Sequence, residues 1–173
     1  MLRFPAPVTR AAADALGWIG DIVGPVDFAG VRFLAVVDAE ALAERPPSSQ
    51  EPPSEQGRPW LTGALVEGPA TPGLLRAASR LAAYAPRAVL VRERRGLTGF
   101  LVDAALLDQG VVVAGADGVT VLAPAGPVVP RGGVTAFDRE LLRQVRRARG
   151  RRDGMLPVLA HSFIAAGSRN SRR

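Results

Sequence analysis

The chain has 173 residues, with 22 arginines, no lysine, no cysteine, 16 acidic residues, one histidine and a formal net charge of +6. The missing lysine excludes a P-loop, a Schiff-base centre and a kinase-type phosphate site, and the missing cysteine excludes disulfides, thiolate metal sites and a thiol nucleophile. One histidine excludes a multi-histidine zinc site, so any metal site here is mostly oxygen-liganded, which favours Mg²⁺, Mn²⁺ or Ca²⁺.

The length predicts one domain that buries roughly 70% of its unfolded surface. Residues 8–23, VTRAAADALGWIGDIV, space Ala, Leu and Trp as a helix does, with Thr9 as cap and Gly24-Pro25 as stop. VRFLAVVD (31–38) is a β-branched run and reads as a buried strand. Residues 45–59 hold five Pro and no apolar side chain, which predicts a flexible polyproline-like loop. WLTGALVEG (60–68) returns to strand character. A helix is predicted within 69–86, capped by Thr71 with Pro72 at its first position and Leu74, Leu75, Ala78, Leu81 and Ala82 on one face.

RAVLVRE (87–93) reads as a strand, followed by strands at 99–108, 110–115 and 119–124. The punctuation at Asp108-Gln109-Gly110 and at Gly115-Ala116-Asp117-Gly118 predicts hairpin turns. After a Gly/Pro loop at 125–134, residues 135–150 form the last helix, with Thr135 and Asp138 at its start and Gly150 as its stop. Its expected apolar side carries Phe137, Leu141, Leu142, Val145 and Ala148. The expected class is therefore α+β. One domain spans 1–150, with a mixed or antiparallel sheet of about five to six strands packed by two to three helices. Residues 151–173 form a basic tail, partly packed at the apolar run 155–166.

The charge is uneven. Residues 139–173 hold ten Arg and two acids and carry +8, while residues 1–138 carry −2. Arg139, Arg143, Arg146 and Arg147 fall opposite the apolar side of the last helix, and Arg151 and Arg152 extend the field beyond it. Guanidinium groups stay charged and grip phosphate or carboxylate oxygens in pairs, so these six residues are the expected polyanion-binding site. The expected partners are nucleic-acid backbone or an acidic protein. No aromatic residues interleave with the arginines, which argues against a base-stacking single-strand binder. The bland reading is a solvated helix face, in a composition whose richness in Ala, Arg, Gly and Pro reads as GC-rich coding bias.

Carboxylates supply the competing class. Asp38 and Glu40 end the first strand, where acids can hold a divalent cation for hydrolytic chemistry. The plainer reading is that Asp38 caps a helical turn. Asp103 and Asp108 are five apart and point to opposite faces of an ideal strand. His161 and Ser162 are adjacent, which by itself supplies neither a hydrogen bond in space nor an orienting acid. The glycine pairs read as turns, and Trp18 and Trp60 as core or rim anchors.

The run 88–126, AVLVRERRGLTGFLVDAALLDQGVVVAGADGVTVLAPAG, resembles the core of NERD-type nuclease-related domains over under a quarter of the chain. Asp108 matches that family's first acid, while Ala123 and Ala125 stand where it has a later acid and a lysine. The resemblance implies a catalytically degenerate nuclease-related domain.

The leading expectation is a soluble, cytoplasmic, non-enzymatic interaction domain that needs no cofactor and no membrane. The alternative is a carboxylate-based, Mg²⁺-assisted hydrolase or the degenerate nuclease-related domain. A third reading has the apolar run 155–166 completing a homodimer.

Overall fold

A computed structural model describes residues 4–44, 60–92, 96–128 and 136–153, with the backbone alone for 152 and 153. The proline-rich 45–59, Thr135, the apolar run 155–166 with His161 and Ser162, and the terminal arginines lie outside the described residues.

The elements in order are α1 (Ala6–Ala15), β1 (Asp21–Phe28), β2 (Val31–Val37), α2 (Ala39–Ala43), β3 (Leu61–Glu67), α3 (Pro72–Ser79), β4 (Arg87–Val91), α4 (Thr98–Leu106), β5 (Gly110–Gly115), β6 (Gly118–Ala123) and α5 (Ala136–Asp153). They form an α+β fold around one mixed sheet whose six strands lie in sequence order. β1, β2 and β3 make an antiparallel meander, β3, β4 and β5 run parallel, and β6 returns antiparallel to β5. Parallel neighbours cannot be joined by a tight turn, and here α3 and α4 supply the two crossovers.

Helices pack on both faces of the sheet. On one face, Val23, Phe33, Val66, Val89 and Val111 pack with residues of α2, α3, α4 and α5. On the other, Val36, Leu65, Ala88, Leu90 and Val112 pack with Ala12, Ala13 and Trp18, brought there by α1 and the turn after it. β4 is buried along its whole length, which is why RAVLV shows no alternation of apolar and polar residues.

Several local expectations hold. Thr71 accepts a hydrogen bond from Leu74 N (3.3 Å) and caps α3, with Pro72 opening the helix. β5 and β6 form the expected hairpin around Gly115-Ala116-Asp117-Gly118. Trp18 and Trp60 are both buried.

Four differ. The first helix stops at Ala15, not at Gly24-Pro25. Gly17, at φ +72°, lets Trp18 N bond to Ala13 O (3.0 Å) and Gly17 N bond to Asp14 O (2.9 Å), a Schellman ending that needs a left-handed residue. Gly24 and Pro25, joined by a cis peptide, instead form a bulge inside edge strand β1, a place where proline is tolerated.

Second, residues 99–108 are not a strand: α4 occupies them as far as Leu106, buries Phe100 and Ala104 four apart, and makes the crossover to β5. Third, Asp108-Gln109-Gly110 is consequently a helix-to-strand link, with Asp108 at φ +51°. Fourth, α5 continues through Gly150 to Asp153, and Phe137 is 62% exposed at its first turn rather than packed.

Among the described residues, no helix is long and apolar enough to cross a membrane.

Candidate functional site

α5 is seated by its apolar stripe. Leu141 and Val145 are fully buried against the sheet, and Leu142 and Ala148 are half-buried beside them. This packing fixes which arginines face outward. Arg139, Arg143, Arg147 and Arg151 are exposed and recur every fourth residue. At 1.5 Å per residue, this row climbs about 18 Å along the helix. Arg143 also pairs with Glu140 one turn earlier.

The other expected site residues separate from the row. Arg146 is half-buried and donates to the Leu42 carbonyl in α2 (3.0 Å). Arg149, between them, reaches Asp21 of β1 at 3.7 Å. These two tie α5 to the body. The side chain of Arg152 lies outside the described residues. The near end of the row also reaches the sheet electrostatically. Asp27 of β1 is held below the usual carboxylate range first by its hydrogen bonds from Arg32, with Arg151 contributing at longer range.

The acids named as catalytic candidates have structural work or stand apart. Asp38 accepts hydrogen bonds from Glu40 N and Ala41 N (both 3.1 Å) and caps α2. Asp103 is exposed on α4, and Asp108 is exposed on the link that follows it. Among the described residues, no group of three or more acids or histidines is placed to hold a metal ion.

Sequence reasoning missed a second feature, on the opposite face of the sheet. α1 crosses that face toward β6 and leaves the β1–β3 side open. A cleft of about 570 Å³ lies there. Its floor is Ile22 and Leu34 over the fully buried Leu65, and Phe4 and Pro7 close one side. Pro25 lines it from the β1 bulge.

Polar groups gather on the cleft's lining. Glu67 accepts from Phe4 N (3.5 Å) and from Thr9 Oγ1 (3.3 Å), which holds the start of the chain against β3. Behind the lining, the Arg92 guanidinium lies 4.6 Å from the centre of the Phe4 ring. Arg32 forks onto Asp27 through two bonds of 2.7 and 2.8 Å. Arg10 donates to the Gly20 carbonyl at 2.7 Å.

The cleft's residues span positions 4 to 67, and strand register together with the placement of α1 brings them together. The only trace in the sequence is the Ala12-Ala13 pair, whose short side chains let α1 lie close on the sheet.

Comparisons of the chain with protein-family models, curated proteins and solved structures gave no match.

Proposed function

We propose that this protein is a binding module that contacts nucleic-acid backbone along the outer row of α5. The observation that carries the reading is the row itself: Arg139, Arg143, Arg147 and Arg151, exposed at four-residue spacing on a helix whose inner side is locked to the core. Guanidinium groups in such a line neutralise successive phosphates and release their counterions. Contacts to phosphate position a protein without reading sequence, so binding is indifferent to base order. Arg146 contributes by holding the helix, since its half-buried head group points inward to the Leu42 carbonyl rather than along the row.

The test is fluorescence anisotropy of labelled duplex and single-stranded DNA and RNA with the full chain across a salt series. The comparison protein carries Arg139→Ala, Arg143→Ala, Arg147→Ala and Arg151→Ala together. Wild type should bind at low salt and weaken steeply as salt rises. On duplex DNA the quadruple variant should lose roughly 3–4 from the log–log salt slope, at about 0.9 per phosphate contact. Absence of low-salt binding, or a variant that binds like wild type, overturns the reading. Retention of wild type on polyglutamate but not on nucleic acid, again dependent on the row, would move the partner to an acidic protein.

A further inference from the structure

We propose that the cleft between α1 and strands β1–β3 binds a small aliphatic monocarboxylate, with its chain on Ile22 and Leu34 and its head group on Arg10.

Size and lining come first. The cleft, at about 570 Å³, falls within the range of roughly 300–1,000 Å³ typical of small-molecule sites. Like them, it is mostly apolar with a few polar groups. The half-buried Ile22 and Leu34 sit on adjacent strands of one sheet face, backed by the fully buried Leu65, the register partner of Leu34. They form a continuous apolar surface on which an alkyl chain can lie.

Charge then selects the head group. Three ionisable side chains line the cleft: Arg10, Arg32 and Glu67. Arg32 is forked onto Asp27, and Glu67 is engaged with Phe4 and Thr9. Arg10 differs. Its partner is a neutral carbonyl, that of Gly20, and no described carboxylate pairs with it. A guanidinium has five N–H donors, so donors remain after the Gly20 bond. Arg10 is also half-buried, and partial exclusion of water strengthens a pair with an anion.

Glu67 sets the upper limit of charge. A dianion on Arg10 would meet the Glu67 carboxylate on the same lining, and a cationic ligand would meet two arginines. A single carboxylate on an apolar chain satisfies both constraints.

The test is a titration of the full chain with octanoate, followed by NMR of the Ile and Leu methyl groups, with octan-1-ol as the uncharged control. Octanoate should shift the methyls of Ile22, Leu34 and Leu65 saturably and bind about tenfold tighter than octan-1-ol, as loss of one charge-assisted pair predicts. Shortening the acid by one methylene should weaken binding about fourfold. Arg10→Gln should erase the preference for acid over alcohol, and Arg10→Lys should restore part of it. Ile22→Trp, which fills the cleft, should abolish binding of both. Equal binding of acid and alcohol to wild type needs no variant to interpret and overturns the proposal. So do the absence of saturable shifts and shifts confined to residues outside the cleft.

Discussion

The six-membered ring of Trp18 lies where a side chain on Gly63 would stand: a Cβ built at Gly63 falls 2.2 Å from Trp18 Cε3 and 2.3 Å from Cδ2. The indole therefore rests directly on the backbone of β3. The neighbouring Thr62 hydroxyl donates to the Ile19 carbonyl (2.9 Å), which fixes the same turn from the side. This pair of contacts fastens the end of α1 to the sheet and so sets where the open cleft begins.

Gly63→Ala should accordingly destabilise the fold by about 1–3 kcal/mol, the usual cost of overpacking a filled site. Trp18→Ala should cost about 3–5 kcal/mol. The two are in contact, so they should not add. Trp18→Ala removes the three atoms nearest that methyl, all of them in the indole, so the double variant should be hardly less stable than Trp18→Ala alone. Urea unfolding of the four proteins measures this, and full additivity would show that the ring does not sit on Gly63.

Arg146 and Arg147 are neighbours in sequence with opposite roles. Arg146→Ala removes a charged donor from the Leu42 carbonyl and should cost about 1.5–3 kcal/mol of stability. Arg147→Ala touches an exposed side chain and should stay within about 0.5 kcal/mol of wild type. In the nucleic-acid titration the order reverses, with Arg147→Ala weakening binding more. Paired thermal melts and anisotropy curves separate the two.

Gln109 is a buried joint between elements. Its amide donates to the Leu75 carbonyl (2.9 Å) and to Ser79 Oγ (2.6 Å), tying the start of β5 to α3. Gln109→Ala loses both bonds and leaves a small void, and should destabilise by about 2–4 kcal/mol. Hydrogen exchange should show α3 opening earlier in this variant than in wild type.

Asp27 gives the acid limb of stability a definite sign. Its carboxyl titrates below its ordinary value in the folded chain because Arg32 hydrogen-bonds the ionised form. That contribution is fully present above the unfolded carboxyl's pKa and is lost as pH falls through the folded one. Both side chains are well exposed, so the effect is small and screened by salt. Asp27→Asn should be slightly less stable than wild type at neutral pH, with the gap closing in strong acid. A gap independent of pH would remove the ion pair as its cause.

Much of the fold is legible from residues alone. Thr71-Pro72 marks the start of α3, the β-branched runs mark β2, β4 and β5, and the Gly-Ala-Asp-Gly turn marks the last hairpin. The failures have a physical pattern. α4 is apolar on its outer side too, with Val102 and Leu106 at 56% and 79% exposure, so no stripe announces a helix. β1 was hidden because Trp18 and Ile19 prolong the apolar spacing of α1 beyond its glycine stop, yet Ile19 is 80% exposed. Of the candidate site, the outward arginines at 139, 143 and 147 were legible from helical spacing. The inward use of Arg146 was not, because it depends on where α2 lies. The cleft was illegible for the same reason, since it belongs to the sheet rather than to any segment.

The strand order has a kinetic consequence. The hairpins β1–β2 and β5–β6 join residues close in sequence, whereas β2–β3, β3–β4 and β4–β5 pair residues more than twenty positions apart, such as Leu34 with Leu65, Ala64 with Arg87 and Ala88 with Gly110. Closing those longer loops costs chain entropy before any contact repays it. The outer hairpins can therefore zip early, while the parallel middle waits for α3 and α4 to fold back. The rate-limiting event of folding should then be the docking of β3 and β4 between the two outer hairpins. Substitutions in those strands should slow refolding, while those in the hairpin turns chiefly speed unfolding.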